Sequence, residues 1–122
     1  MKLAVFGSRT LSLSNIEEYL PNGVTEIVSG GAKGIDSEAA KFAISHNIKL
    51  TEFLPDYERY GRGAPLKRNV QIVDYADAGL AFWDGVSRGT KYTIDLFHKC
   101  GKPITIVIVG RESKKLSFSV QS

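Results

Sequence analysis

The sequence predicts an α/β fold built on a five-stranded parallel sheet, and three observations favour it. Short apolar segments alternate regularly with segments of helical periodicity along the 122 residues. The apolar runs at residues 3–6 and 104–109 are continuous, as in strands buried on both faces. Glycine and proline stand where helices commonly begin and end. Strands that alternate with helices in this way predict a sheet covered by helices on both faces.

The elements are predicted in the following order. Strands are expected at residues 2–6, 26–29, 49–54, 79–83 and 104–109, and helices at residues 15–20, 35–46, 65–75 and 90–100. Residues 55–63 are predicted to form a loop. Its two tyrosines for contact, two arginines for charge and two glycines as hinges suit a lid, and a plain solvated loop is the alternative.

Each of the longer helices has its own signal. The second carries a stripe of residues at helical spacing: Ile35, Ala39, Phe42, Ala43 and His46. The third begins with Pro65 at a position that helices permit, and we expect Leu66, Val70 and Val73 to face inward. The fourth is ended by Gly101.

The strand order is predicted to be 3-2-1-4-5, because right-handed crossovers then change direction after the first strand. In open sheets of this kind, ligands bind outside the carboxyl ends of the strands at that reversal. The segments that follow strands one, two and four are therefore expected to form the binding site.

Length and composition predict one domain, residues 1–110, followed by a short basic tail, residues 111–122. The tail could form an edge strand, a dimer contact or nothing ordered. It holds +2 of the net charge of +3, so the body is nearly neutral, which is not typical of a dedicated nucleic-acid binder. No apolar segment is long enough to span a membrane. The single cysteine, Cys100, excludes an internal disulfide, fits a cytoplasmic protein and is expected to be buried.

The most informative segment is the glycine-rich turn at residues 29–36, which reads Ser-Gly-Gly-Ala-Lys-Gly-Ile-Asp. A strand, a glycine turn and a helix in this order present free N–H groups and a positive dipole end to an anion, most often a phosphate. Ser29, Gly31 and Gly34 stand where the dinucleotide fingerprint has three glycines, and Glu52 could bind the ribose. The alternative is a turn that only lets the helix lie close to the sheet.

Three other segments are expected to meet this turn. The first strand is followed by Gly7-Ser8-Arg9, which offers a hydroxyl and a fork of phosphate donors. Residues 84–90, Asp-Gly-Val-Ser-Arg-Gly-Thr, form a second glycine-rich turn after strand four, and residues 67–69, Lys-Arg-Asn, begin the third helix. Each segment could be plain surface, but together they predict a crevice for a phosphate-bearing small ligand.

The candidate ligand-binding residues all lie in or beside these segments: Gly7, Ser8, Arg9, Ser29, Gly30, Gly31, Lys33, Gly34, Asp36, Arg68, Asn69, Trp83, Asp84, Gly85, Ser87, Arg88, Gly89 and Thr90. A structural role, in which its carboxylate bonds the preceding turn, is favoured over ligand contact for Asp36. Trp83 could equally stack on a base or lie under the second turn. His46 and His98 are isolated, so we expect no metal site and no resident cofactor.

Taken together, the four motifs resemble the SLOG superfamily, which unites DNA-processing protein A (Smf) with the Lonely Guy cytokinin-activating enzymes. They are Gly7-Ser8-Arg9, the turn at residues 29–36, and residues 63–69 and 83–91, in the right order over roughly residues 2–109. The most similar branch is the YspA/YpsA-related group. The resemblance implies a Rossmann-like three-layer sandwich, a nucleotide or nucleotide-derived ligand, and a tendency to self-associate as a dimer.

The chain departs from the enzymes of this superfamily at one informative position. The Lonely Guy motif Pro-Gly-Gly-x-Gly-Thr-x-x-Glu ends in a glutamate that works with an arginine to cleave a nucleotide from its base. Alignment on Gly89-Thr90 places Thr93 where that glutamate belongs, and Arg68 matches the arginine. Threonine cannot supply a carboxylate. The catalytic residues are therefore unknown, with Arg68 and Asp84 as candidates and Glu52 as a further possible substitute.

Three functions are compatible with these observations. The first is a nucleotide-binding sensor module without turnover. The second is a phosphoribohydrolase that cleaves the N-glycosidic bond of nucleoside monophosphates or ADP-ribose-like molecules. The third is the binding of single-stranded DNA, for which the near-neutral body gives little support.

Overall fold

A computed structural model of the protein describes residues 1–8 and 16–109, together with the backbone of a strand at residues 115–120. The strands, in chain order, are β1 (Lys2–Gly7), β2 (Glu26–Ser29), β3 (Lys49–Glu52), β4 (Ala78–Trp83), β5 (Ile104–Val109) and β6 (Lys115–Val120). The helices are α1 (Ile35–Ser45), α2 (Tyr57–Tyr60), α3 (Ala64–Tyr75) and α4 (Arg88–Lys99), with 3-10 helices at Ile16–Tyr19 and Gly61–Gly63.

The described strands form one sheet with the order β3-β2-β1-β4-β5-β6. All neighbours among the first five strands are parallel, which confirms the predicted α/β class and the order 3-2-1-4-5. β6 comes from the basic tail and pairs antiparallel with β5. Of the alternatives for the tail, the structure therefore contains the edge strand.

The sheet separates two apolar layers, and β1 contributes to both of them. Leu3 and Val5 belong to the layer under α1, whereas Ala4 and Phe6 belong to the layer under α3 and α4. On that second side, Phe6 stacks on Phe97 of α4 with ring centroids 5.9 Å apart. The continuous apolar run of β1 is therefore explained by helices on both faces of the sheet.

The prediction of a loop at residues 55–63 is wrong for most of that segment, which contains α2 and the following 3-10 helix. Asp56 accepts a hydrogen bond from the Arg59 N–H at 3.2 Å and caps the first turn of α2. The bounds of the other predicted elements lie within two residues of the observed ones, and the predicted first helix is the 3-10 helix Ile16–Tyr19.

Of the three α3 residues that the sequence predicted to face inward, only Val73 is buried. Leu66 and Val70 are 45% and 42% exposed. The helix instead turns another set of residues toward the sheet: Ala64, Arg68, Ile72 and Val73. The pattern of apolar residues predicted the wrong face of α3, because a charged residue, Arg68, lies on the buried face.

Two predictions at helix ends are also wrong. His46 is exposed, because α1 ends at Ser45 and leaves His46 as its C-cap, with the ring stacked on Phe42 at a centroid distance of 4.0 Å. Cys100 is exposed and follows the last residue of α4. Both residues lie past the last helical turn, where helical spacing no longer directs a side chain to the buried face.

Candidate functional site

A cavity of about 420 Å³ opens beyond the carboxyl ends of β1 and β4, where the order of the strands reverses. We call it the switch-point cavity. It brings together ten of the predicted residues from four separate segments: Gly7, Ser8, Asp36, Arg68, Asn69, Asp84, Ser87, Arg88, Gly89 and Thr90. Its volume lies within the range usual for small-ligand sites.

The segment after β1 lies very close to its neighbours. A Cβ atom at Gly7 would be 2.5 Å from the carbonyl oxygen of Phe82 and 2.7 Å from Cγ1 of Ile35, so only glycine fits there. The next residue, Ser8, is buried, and its Oγ accepts a hydrogen bond from the Asp84 N–H at 3.2 Å. Ser8 therefore ties the end of β1 to the turn after β4. Arg9, also predicted here, lies outside the described residues.

The glycine turn between β2 and α1 is held by its own side chains. Gly31 and Gly34 have φ angles of +70° and +77°, which favour glycine. The Ser29 hydroxyl, fully buried, accepts a hydrogen bond from the Gly31 N–H at 3.2 Å. Asp36 Oδ2 accepts one from the Ala32 N–H, also at 3.2 Å. Asp36 thus has the structural role that was favoured, although it also lines the cavity.

Arg68 of α3 is buried against the glycine turn. Its Nη1 donates a hydrogen bond to the carbonyl oxygen of Gly30, and its Nε donates to Oδ1 of Asn69 at 2.8 Å. A Cβ atom at Gly30 would be 2.6 Å from that Nη1. Glycine at position 30 is therefore required by the guanidinium that lies on it. Arg68 brings a permanent positive charge to the cavity wall.

The turn after β4 is organised by Asp84. Its Oδ1 accepts hydrogen bonds from the N–H groups of Val86 at 2.9 Å and Ser87 at 2.8 Å, and its Oδ2 accepts one from the Ser87 hydroxyl at 2.7 Å. Burial raises the pKa of Asp84, but these hydrogen bonds and the Ser8 hydroxyl together lower it by a larger amount. The net pKa of Asp84 therefore lies below its usual value. Asp84 is therefore a turn-forming carboxylate whose lowered pKa makes it less suited to donate a proton than an ordinary aspartate.

The first turn of α4 opens into the switch-point cavity. Ser87 is the N-cap residue, but its side chain caps no helix N–H. The N–H groups of Arg88, Gly89 and Thr90 have no acceptor within the helix, since the first turn of any α-helix lacks them. All three residues line the cavity. Free N–H groups and the positive dipole end are therefore available to an anion there.

Trp83 lies under this turn rather than in the cavity. Its Nε1 donates a hydrogen bond to the carbonyl oxygen of Ser87 at 3.0 Å, and its ring lies against the apolar layer beneath α3 and α4. Of the two roles that the sequence left equal for Trp83, the structure supports packing.

Asp36 is the second carboxyl group that lines the switch-point cavity, and its pKa is shifted in the opposite direction to that of Asp84. Burial raises the pKa of Asp36, and the Ala32 N–H and the nearby charge of Arg68 offset this only in part. Glu52, exposed at the end of β3, adds a smaller raising effect. A carboxyl group with a raised pKa inside a cavity is a common feature of functional sites.

A second cavity of about 310 Å³ lies against the glycine turn, and we call it the glycine-turn cavity. It is lined by Gly30, Gly31, Lys33 and Arg68 among the predicted residues. Arg68 and Ala32 line both cavities. The four predicted segments therefore surround two adjoining cavities rather than one crevice.

Several predicted residues line neither cavity. Ser29, Gly34, Trp83 and Gly85 support the turns, and Glu52 does not reach the switch-point cavity. Tyr57, which the sequence placed in a lid or a plain solvated loop, lines the glycine-turn cavity. Sequence reasoning about the site missed other residues that line one or both cavities: Phe6, Ala32, Pro65, Leu66 and Pro55. Most of these are apolar, and in sequence they carry no signal that separates a cavity wall from a core position.

Thr93, the residue at the position of the Lonely Guy glutamate, lines the switch-point cavity. Its hydroxyl donates a hydrogen bond to the carbonyl oxygen of Gly89 at 3.1 Å, and the residue is only 3% exposed. Thr93 is therefore a buried residue of the cavity wall, with its hydroxyl bonded to the preceding turn of α4.

Among the residues that the structure describes, no group of three or more His, Cys, Asp or Glu side chains could hold a metal ion. Within the same residues, no helix combines the length and apolar character needed to cross a membrane. Comparison with models of known protein families finds no match, and comparison with curated protein sequences finds none either.

Proposed function

We propose that this protein binds a phosphate-bearing nucleotide, or a ligand derived from one, in the switch-point cavity and acts as a small binding or sensor module. The observation that carries the proposal is the first turn of α4. Arg88, Gly89 and Thr90, whose N–H groups have no acceptor within the helix, line a cavity that Arg68 also lines. The order of the four motifs, which resembles that of the SLOG superfamily, supports the same ligand class.

The electrostatics of the cavity also support an anionic ligand. Arg88 is exposed and forms no ion pair with another described residue, so its charge remains available. A guanidinium, a helix N-terminus and a hydroxyl from Thr90 together match the donors that phosphate oxygens require. The phosphate would lie on the first turn of α4, with the rest of the ligand extending toward Arg68.

A second candidate function is N-glycosidic cleavage of the phosphoribohydrolase type. One observation favours it: the Asp36 carboxyl group and Arg68 line the same cavity. Of the two cavity carboxyl groups, Asp36 with its raised pKa is better suited to proton transfer than Asp84. The candidate catalytic pair is therefore Arg68 with Asp36.

Thermal unfolding with a nucleotide panel tests the binding proposal. A phosphate-bearing ligand at a hundredfold excess over its dissociation constant should stabilise the fold by about 2.7 kcal/mol, whereas the matching nucleoside should stabilise it much less. Equal shifts from nucleotide and nucleoside would contradict the phosphate site.

A matched pair of glycine variants locates the phosphate. Outside the backbone of its own helix, no atom lies within 4 Å of a Cβ added at Gly89, so Gly89→Ala should leave the fold intact while it adds a methyl group to the lining of the switch-point cavity. Gly63→Ala is the control, because a Cβ there also meets open space and Gly63 lines neither cavity. Nucleotide stabilisation should be lost in the first variant and kept in the second. Normal binding by Gly89→Ala would place the ligand elsewhere.

A further inference from the structure

The two cavities are separated by a wall that belongs to both of them. Ala32 and Arg68 line the switch-point cavity and the glycine-turn cavity alike. The guanidinium of Arg68 is held in place by the carbonyl oxygen of Gly30 and by Oδ1 of Asn69. A fixed positive charge therefore lies at the boundary between two adjoining cavities of about 420 and 310 Å³.

The glycine-turn cavity has its own charged and aromatic groups. Lys33 is exposed and forms no ion pair with another described residue. Tyr57 is 58% exposed, and within the described part of the chain its ring makes no aromatic or cation contact. Gly30 and Gly31 contribute backbone without side chains to the same cavity. An exposed ring beside a free cation suits a planar group attached to a phosphate.

The nearby Tyr60 differs from Tyr57 in an informative way. Its ring is covered by two cations, Arg59 at 5.4 Å and Lys67 at 5.8 Å from the ring centroid. Tyr60 also lines neither cavity. Of the two tyrosines of α2, only Tyr57 therefore offers its ring to a ligand in the glycine-turn cavity.

We propose that the glycine-turn cavity is a second subsite for the same ligand, and that this ligand is a dinucleotide whose two nucleosides are joined through phosphates. One nucleotide unit lies in the switch-point cavity, and the second base stacks on Tyr57 beside Lys33. The connecting phosphates cross the boundary at Arg68. This inference rests on the proposed function, because it assigns a ligand class to that site.

The experiment compares the affinities of three kinds of probe by calorimetric titration. The probes are the nucleoside 5′-monophosphates, the corresponding nucleoside diphosphates and the symmetrical 5′,5′-dinucleoside diphosphates. We expect the dinucleotide to bind the wild-type protein about tenfold more tightly than either single nucleotide, the gain typical of one stacked base. Tyr57→Ala should reduce that ratio to about one and leave the affinity for the monophosphate unchanged. Tyr60→Ala, the matched control, should keep the ratio.

Each of the following outcomes would overturn the proposal of a second subsite. Equal affinities of the wild-type protein for monophosphate and dinucleotide would remove the second subsite. A nucleoside diphosphate that binds as tightly as the dinucleotide would show that charge, and not a second base, makes the difference. An unchanged ratio in Tyr57→Ala would exclude stacking on that ring. If none of the probes binds at all, the proposed function itself fails, which separates the two failures.

Discussion

The guanidinium of Arg68 donates a hydrogen bond to the carbonyl oxygen of Gly30, and this contact joins α3 to the glycine turn that precedes α1. The two residues are 38 positions apart in the chain. Because Nη1 would lie only 2.6 Å from a Cβ atom at position 30, the arginine and the glycine depend on each other. Arg68 lines both cavities, whereas Gly30 lines the glycine-turn cavity.

A double-mutant cycle tests that dependence. Gly30→Ala should destabilise the protein by about 1–3 kcal/mol, because the added methyl group forces a buried side chain to move. In an Arg68→Ala background the same change should cost much less, since the clashing group is gone. Chemical unfolding followed by circular dichroism measures all four free energies. Costs that simply add would show that the two residues do not interact.

The raised pKa of Asp36 predicts a pH dependence of stability. Burial favours the protonated carboxyl group in the folded state, so the folded protein binds more protons than the unfolded chain between the two pKa values. Stability attributable to Asp36 is therefore greatest at acidic pH and is lost as the pH rises through the folded-state pKa. Asp36→Asn, which keeps an acceptor for the Ala32 N–H, should remove this slope and be relatively more stable at neutral pH. Unfolding free energies between pH 4 and 8 measure the difference.

The same variant affects ligand binding. Once the pH has risen above its raised pKa, the Asp36 carboxylate repels an anionic ligand in the switch-point cavity, so above that pH Asp36→Asn should bind a nucleotide more tightly than the wild type. Nucleosides, which carry no charge, serve as the control and should bind equally to both proteins. A variant that binds nucleotides less tightly would indicate that the carboxylate contacts the ligand through accepted hydrogen bonds.

Thr93 predicts that nucleotides are bound without being cleaved. A well-placed acid or base usually contributes about 10²–10⁴ in rate, and threonine at this position provides none. We expect no release of free base from nucleoside monophosphates by the wild-type protein. Thr93→Glu should introduce slow release, because Arg68 lines the same cavity. Chromatography of the products measures it.

N-glycosidic cleavage, the second candidate function, instead predicts that the wild-type protein releases free base from nucleoside monophosphates. If base is released, and the release is lost in both Arg68→Ala and Asp36→Asn, the protein is a hydrolase with Asp36 in the role of the glutamate. Release that persists in both variants would exclude that pair.

A polar cluster at the amino end of the sheet predicts a second pH effect. Glu26 Oε2 accepts hydrogen bonds from the hydroxyls of Thr51 and Tyr75, each at 2.6 Å. These bonds lower the pKa of Glu26, against the smaller effect of burial. A lowered carboxyl pKa stabilises the fold above the unfolded-state pKa, and the contribution is lost as the pH falls through the folded-state value.

Removal of one of these hydroxyls measures the contribution of the cluster. Tyr75→Phe should cost about 1–2 kcal/mol at neutral pH, since it deletes a hydrogen bond to a charged group. The cost should shrink as Glu26 becomes protonated in acid. Tyr57→Phe, which removes an exposed hydroxyl, is the control and should have almost no effect. A cost that is independent of pH would show that the Tyr75 hydroxyl does not interact with an ionised Glu26.

The α/β class and the strand order could be predicted from local patterns in the amino-acid sequence. The apolar run of β1, the helical spacing in α1 and the glycine turn between β2 and α1 are local patterns, and local patterns are enough to distinguish strands from helices. The right-handed crossover rule then leaves few possible sheet orders. The segments that follow β1, β2 and β4 were therefore expected to meet at the reversal, and in the structure they line its cavities.

Which residues face those cavities depends on contacts between distant segments, and the sequence patterns did not predict it. Arg68 is buried on α3 in place of Leu66 because Gly30, far away in the chain, leaves room for a guanidinium. Asp84 and Asp36 both line the switch-point cavity and accept hydrogen bonds from their own turns, yet the pKa is lowered for Asp84 and raised for Asp36. These outcomes depend on contacts between segments that are distant in sequence, and no periodicity records such contacts. The division of one expected crevice into two cavities has the same physical origin.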